Sequence, residues 1–275
     1  MSLNKSAYRN GWMKRFAFDR PVIFSIFVIL AAGLLTEIPF DDIFAPLVDY
    51  PGAEFLKVII GHLLTGFVLV GLLVKLGLMK RAGFTHPSHW KDLWLAWPLL
   101  LFVFLNFSSL LDGSLVIDTS RPGLIVLYAF MTLSIGFCEE VMARGVVLSV
   151  MLRKWSSNSR RGIYLSVLVS SALFGAAHIF NLVTGHLPLL ANLTQIIYSF
   201  AFGVVFAACV IRNKAIWPMV IMHAAMDFAG GLRHISVGES VQAAVPNATI
   251  SEAVSSIIIS LPLILYGMFI LRKVD

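Results

Sequence analysis

Eight long apolar runs, separated by short segments that hold most of the charge, constrain this 275-residue chain more than anything else in it. They lie at about 21–39, 55–78, 93–111, 123–152, 162–184, 189–211, 215–232 and 253–271. About 20 apolar residues cross the hydrocarbon of a bilayer as a helix. A backbone exposed to lipid must satisfy its own N–H and C=O groups, and a helix does so within the segment. Composition agrees, with 58% hydrophobic and 13% charged residues against about 25% charged in a soluble domain. The expectation is an all-α protein: a polytopic membrane helical bundle of about eight transmembrane helices, forming one integral membrane domain over 1–275.

The net charge of +6 would suit a nucleic-acid partner, but its placement points to a membrane. If the loops alternate between sides, 17 of the 21 basic residues fall on one side, among them Lys5, Arg9, Lys75, Lys80, Arg153, Lys154, Arg212 and Lys273. The other side holds Lys57, Arg121 and Arg233 with nine acidic residues, including Asp41, Asp42, Asp112 and Asp118. The positive-inside rule then places both termini in the cytoplasm of a multi-pass cell-membrane protein. Lipid is the expected surrounding and no nucleic acid is expected. The first run ends in Leu35-Thr36-Glu37-Ile38-Pro39 without a small-x-small cleavage pattern, so it reads as a retained span. Tyr8, Trp12, Phe16 and Phe18 among basic residues suggest an interfacial segment ahead of it. Trp90, Trp94 and Trp97 read as interfacial anchors. Cys138 and Cys209 sit in apolar runs and read as small buried residues, with no disulfide or zinc-finger spacing. His62, alone on an apolar helix, reads as a packing residue.

Three polar constellations interrupt the later runs: Glu139, Glu140 and Arg144; Phe174 and His178; His223 and Asp227. An unpaired Asp, Lys or Arg at a membrane-helix centre costs roughly 2.5–3.5 kcal/mol on an insertion scale, so such groups pair and work. At about 100° per residue, Glu140 and Arg144 lie about 40° apart and can pair, whereas Glu139 lies about 140° from Arg144. Glu140 is thus the counter-ion, and Glu139 is free to act on water or substrate. Phe174 lies one turn before His178 and shapes the wall of the site. Gly175, Ala176 and Ala177 allow a neighbouring helix to approach. His223 and Asp227 share a face at i, i+4.

Glu, His and His without a reactive Ser or Cys suggest hydrolysis by activated water. In one version Glu139, His178 and His223 hold a divalent metal, Zn²⁺, that lowers the pKa of water. In the other, Glu139 and His178 orient and deprotonate water, and His223 with Asp227 stabilises the oxyanion. The H-E-x-x-H pattern of soluble zincins is absent. A non-catalytic scaffold and an ion or proton transporter using a Glu/His/Asp relay are the alternatives.

Glu139-Glu140-x-x-x-Arg144, Phe174-x-x-x-His178 and His223-x-x-x-Asp227, in this order on late helices, resemble the CPBP family. It comprises the CAAX prenyl endopeptidases of the Ras-converting type and the bacterial Abi bacteriocin-processing or immunity proteins. The motif-bearing core is 123–232. The resemblance implies an intramembrane endopeptidase with Glu139 as base, Glu140 and Arg144 as its support, and His178 orienting water. His223 and Asp227 would form the oxyanion side or complete a metal site. Ala143 stands where family members often carry a bulky aromatic, and Asp227 where the prenyl-protein enzymes carry Asn. The implied substrate is an apolar peptide or a membrane-associated protein segment. His178 lies 17 residues from Arg161, about 25 Å at 1.5 Å per residue, which suggests access from the outer side.

Overall fold

The computed structural model describes residues 11–40, 46, 48, 50–84, 90–156, 159–238 and 249–274. Lys5, Tyr8, Arg9, Asp41 and Asp42 of the sequence reading lie outside them. The described residues form helices with no strand. One antiparallel bridge, Ile117 to Ser236, ties two connecting segments together.

Every apolar run becomes a helix. The elements are α1 Trp12–Asp19, α2 Pro21–Thr36, α3 Gly52–Leu76, α4 Trp97–Asn106, α5 Pro122–Glu140, α6 Leu148–Trp155, α7 Arg160–Ala177, α8 Leu189–Asn213, α9 Trp217–Gly230 and α10 Ile250–Leu271. Local chemistry sets their starts. Proline occupies the first turn of α2, α4, α5 and α9, where a missing N–H costs nothing. The Ser159 side chain accepts from Gly162 N to cap α7, and Thr249 with Glu252 forms a capping box on α10.

Among the described residues, five helical units are long and apolar enough to span: α3, the continuous Pro122–Trp155, Arg160–Val183, α8 and α10. The expected eight spans are therefore not all present at full length. With 16 residues, α2 is bounded by Pro21 and Pro39, and it bends by 110° from α1. The 10-residue α4 follows a 3-10 segment, Trp90–Ala96. The 14-residue α9 carries Pro218 in its first turn and ends at the Gly230-Gly231 pair. Prolines and glycines shorten these three helices without making their runs polar.

The bundle packs around two spans. Of the five, α8 is the most enclosed and rests on α7 and α10, while α5 rests on α3 and α9. Phe27, Phe67, Phe104, Phe130 and Leu265 face outward, the side chains expected against lipid. Trp94 and Trp97 are also exposed, consistent with anchoring. At the basic end the Arg153 guanidinium lies 4.4 Å from the Phe18 ring, fastening α1 to α6.

Two glycines bring the site-bearing helices together. A Cβ at Gly136 on α5 would lie 2.9 Å from Val220 O and 3.0 Å from Ala224 N of α9. A Cβ at Gly175 on α7 would lie 2.7 Å from Ile196 O of α8. Both neighbours are backbone and cannot swing aside. Gly136→Leu should push α9 off α5, destabilising the fold by about 1–3 kcal/mol, the usual cost of overpacking. Thermal unfolding in detergent checks this, and a melting temperature equal to wild type would contradict the close approach.

Candidate active site

The site is built where α5 ends. Residues Val141–Val147 form a π-helical segment between α5 and α6, so the glutamate pair sits on the last turn of regular helix. Such widened turns are frequent at functional sites. The Arg144 side chain leans back toward the N-terminus, as helical side chains do. Its Nη1 donates to Glu140 Oε1 at 2.8 Å, the pair that the i, i+4 spacing predicts.

That pair is fully enclosed, with Glu140 at 0% and Arg144 at 2% side-chain exposure. Phe174 on α7 and Phe206 on α8 cover the guanidinium, with ring centroids 4.4 and 5.0 Å from its central carbon. Phe174 thus shields a cation as well as lining the cavity. Glu140 Oε1 accepts a second bond, from His223 Nδ1 of α9, at 2.8 Å. One buried oxygen therefore orients two cationic or ionisable partners from different helices.

With Nδ1 committed, His223 turns Nε2 toward the remaining carboxylates. Glu139 Oε2 lies 3.5 Å and Asp227 Oδ2 3.6 Å from it. Glu139 keeps 26% of its side chain exposed and Asp227 35%, whereas Glu140 has none. Of the adjacent glutamates, Glu139 is the one that lines the cavity.

His178 enters from α7. Its Nδ1 donates to Phe174 O at 3.0 Å, leaving Nε2 as an acceptor, with Ser199 Oγ of α8 3.5 Å away. The α-helix expected to run through 162–184 breaks at His178 and resumes as a short helix over Ile179–Val183. Asn192 Nδ2 donates to His178 O at 2.6 Å, holding the break against the start of α8.

Glu139, Phe174, His178, His223 and Asp227 line one cavity of about 360 Å³. A second cavity of about 90 Å³ shares Phe174, His178, His223 and Asp227 and is closed by Tyr198, Ser199 and Phe206. At about 30 Å³ per molecule, the smaller one has room for roughly three waters. The larger one extends to Glu37, Glu54, Lys57 and His186, at the ends of helices on the weakly basic side.

Sequence reading missed several residues here. Asn192, Gln195 and Ser199 form a stripe on α8 at spacings of three and four, a detectable signal in an otherwise apolar run. Asn181 Nδ2 donates to Gln195 Oε1 at 2.8 Å, and both line the cavity. His62, read as a packing residue, lines it too. Among the described residues no group of three His, Cys, Asp or Glu side chains is gathered closely enough to hold a metal ion as the side chains stand.

The order of motifs along α5, α7 and α9 is matched by a family model. Residues 121–229 fit the model described as type II CAAX prenyl endopeptidase Rce1-like. Over this stretch the chain is similar to the Rce1-like CAAX endopeptidases. The matched stretch is about two fifths of the chain and contains all three motifs. Neither the curated proteins nor the solved structures give a match. A multi-pass membrane protein with this region falls in the class of CAAX-type intramembrane endopeptidases.

Removing one member of the buried pair leaves the other uncompensated. Arg144→Leu should cost about 3–5 kcal/mol, more than Glu139→Gln, whose carboxylate faces the cavity. Comparing both melting temperatures with wild type in the same detergent checks the order. Equal stability of Arg144→Leu and wild type would contradict the account of the pair.

Proposed function

We propose that the chain is an intramembrane endopeptidase that hydrolyses a peptide bond in an apolar or membrane-anchored substrate through water activated by Glu139 and His178. The observation that carries this reading is the division between neighbouring glutamates. Glu140 is sealed and held by Arg144 and His223, while Glu139 reaches the cavity.

In the proposed reaction a water is held between the Glu139 carboxylate and His178 Nε2. Glu139 takes one proton as the water oxygen bonds to the scissile carbonyl carbon. The C–N bond then breaks, and the proton passes from Glu139 to the departing nitrogen. A proton on His223 Nε2 is the donor this wall can offer to the oxyanion, with Asp227 and Glu140 fixing the ring. Arg144 acts through Glu140, as a positioning residue. A metal-bound version remains an outcome of the test and supplies no step here.

The setting follows from charge. We place the protein in the cell membrane with both termini cytoplasmic, and the cavity mouth at Glu37, Glu54 and His186 on the outer side. That mouth favours substrates presented from outside, such as a secreted or anchored peptide. With an impermeant maleimide, a cysteine introduced as His186→Cys should be labelled on intact cells, and one introduced as Lys154→Cys only after permeabilisation. Labelling of both from the same side overturns the orientation.

Full-length protein in lipid, given a panel of quenched fluorescent membrane peptides, should cleave at least one. Glu139→Gln should lower the rate at least about 100-fold, the usual contribution of a positioned base, with melting temperature kept. Activity that survives EDTA supports the metal-free route. Loss on chelation with recovery on Zn²⁺ replaces it with a metal-bound water. No cleavage by folded wild type across the panel moves the reading to a scaffold on the same fold.

A further inference from the structure

The proposed mechanism leaves two cavity imidazoles unused, His186 at the mouth and His62 inside. His62 lies in the middle of α3, on the helix that packs against α5. Its Nδ1 lies 2.9 Å from Val58 O one turn back. A carbonyl only accepts, so Nδ1 carries the hydrogen and Nε2 carries a lone pair. Among the described residues Nε2 makes no hydrogen bond, and it is not among the sealed, unpartnered atoms. It is therefore open to the cavity that His62 lines with Glu139, His178 and His223. His62 shares this cavity with Glu139 inside and Glu37 at the mouth.

A peptide entering this cavity leaves water and must find partners for its main-chain groups, since an unpaired amide in an apolar setting is costly. Glu139, His178, His223 and Asp227 are committed to water and the oxyanion. The remaining polar side chains near the centre are His62 on α3 and the Asn181–Gln195 pair at the far wall. A lone pair accepts from an N–H and repels a carbonyl oxygen. We propose that His62 Nε2 is a substrate-binding acceptor that takes one main-chain N–H of an extended peptide on the mouth side of the scissile bond. This rests on the endopeptidase reading and names its substrate contact: a main chain bearing a free N–H at one fixed position.

The test uses full-length protein in lipid nanodiscs and a quenched fluorescent peptide that wild type cleaves. His62→Leu should raise KM about tenfold, the size expected for one hydrogen bond, with kcat within about twofold. His62→Gln places an acceptor near the Nε2 position and should restore most of the KM. Methylating the peptide's main-chain nitrogens one at a time should show a single position with a similar KM penalty in wild type and none in His62→Leu. A residue that only packs α3 would lower stability, shift kcat with KM, and show no such position.

An unchanged KM in His62→Leu, no rescue by His62→Gln, or methylation effects that simply add would each overturn the proposal. Peptide affinity by fluorescence anisotropy, compared between Glu139→Gln and Glu139→Gln/His62→Leu, keeps the outcomes separate. If Glu139→Gln still cleaves, the mechanism fails, yet a loss of affinity in the double variant still supports His62. If wild type binds no peptide in the panel, both fail.

Discussion

A single carboxylate oxygen, Glu140 Oε1, holds Arg144 of the same helix and His223 of α9 at 2.8 Å each, deep in an apolar bundle. In that surrounding neither charge can be left alone, so the three groups form and persist together. The rest of the site inherits its geometry from them. Because His223 Nδ1 is fixed, Nε2 points at Glu139 and Asp227. Because Arg144 is fixed, Phe174 and Phe206 have a cation to cover, which brings α7 and α8 to the same point.

The division of labour between neighbouring glutamates has a simple origin. Successive residues on a helix point about 100° apart, so Glu139 and Glu140 cannot face the same partner. One faces the packed interior between α5, α8 and α9, and the other faces the cavity. The π-helical segment follows at once, and there Arg144 reaches back across the turn to Glu140 while the chain continues into α6. The ion pair and the cavity-facing carboxylate thus occupy consecutive positions without competing for the same hydrogen bonds.

How much of this was legible depended on distance along the chain. The Glu140–Arg144 pair could be read because both residues lie on one face of one helix. The bond from His223 to Glu140 could not, since it spans 83 positions and requires the close approach at Gly136, where any side chain would meet α9 backbone. The helical character of every apolar run was legible from hydropathy. Their lengths were less so, because Pro21, Pro98, Pro218 and the Gly230-Gly231 pair cut helices inside or at the edge of runs that remain apolar throughout. The break at His178 depends on Asn192, fourteen positions away, capturing the freed carbonyl. His62 shows the opposite limit. Nothing around it in sequence distinguishes a packed imidazole from one that faces a cavity.

The helix that carries the glutamates has its own relation to the bilayer. Pro122–Trp155 is continuous over 34 residues, about 51 Å at 1.5 Å per residue, against about 30 Å of hydrocarbon. Even at the upper end of observed tilts, about 40°, it would overreach by roughly 10 Å. The surplus must emerge at an end, where Arg153 and Lys154 can meet headgroups, or be absorbed by a locally thickened membrane. Glu139 sits near the middle of this rod, so bilayer thickness and the depth of its carboxylate are mechanically linked. Lipids with longer or shorter acyl chains would raise or lower the carboxylate relative to the membrane surface without altering a contact inside the protein.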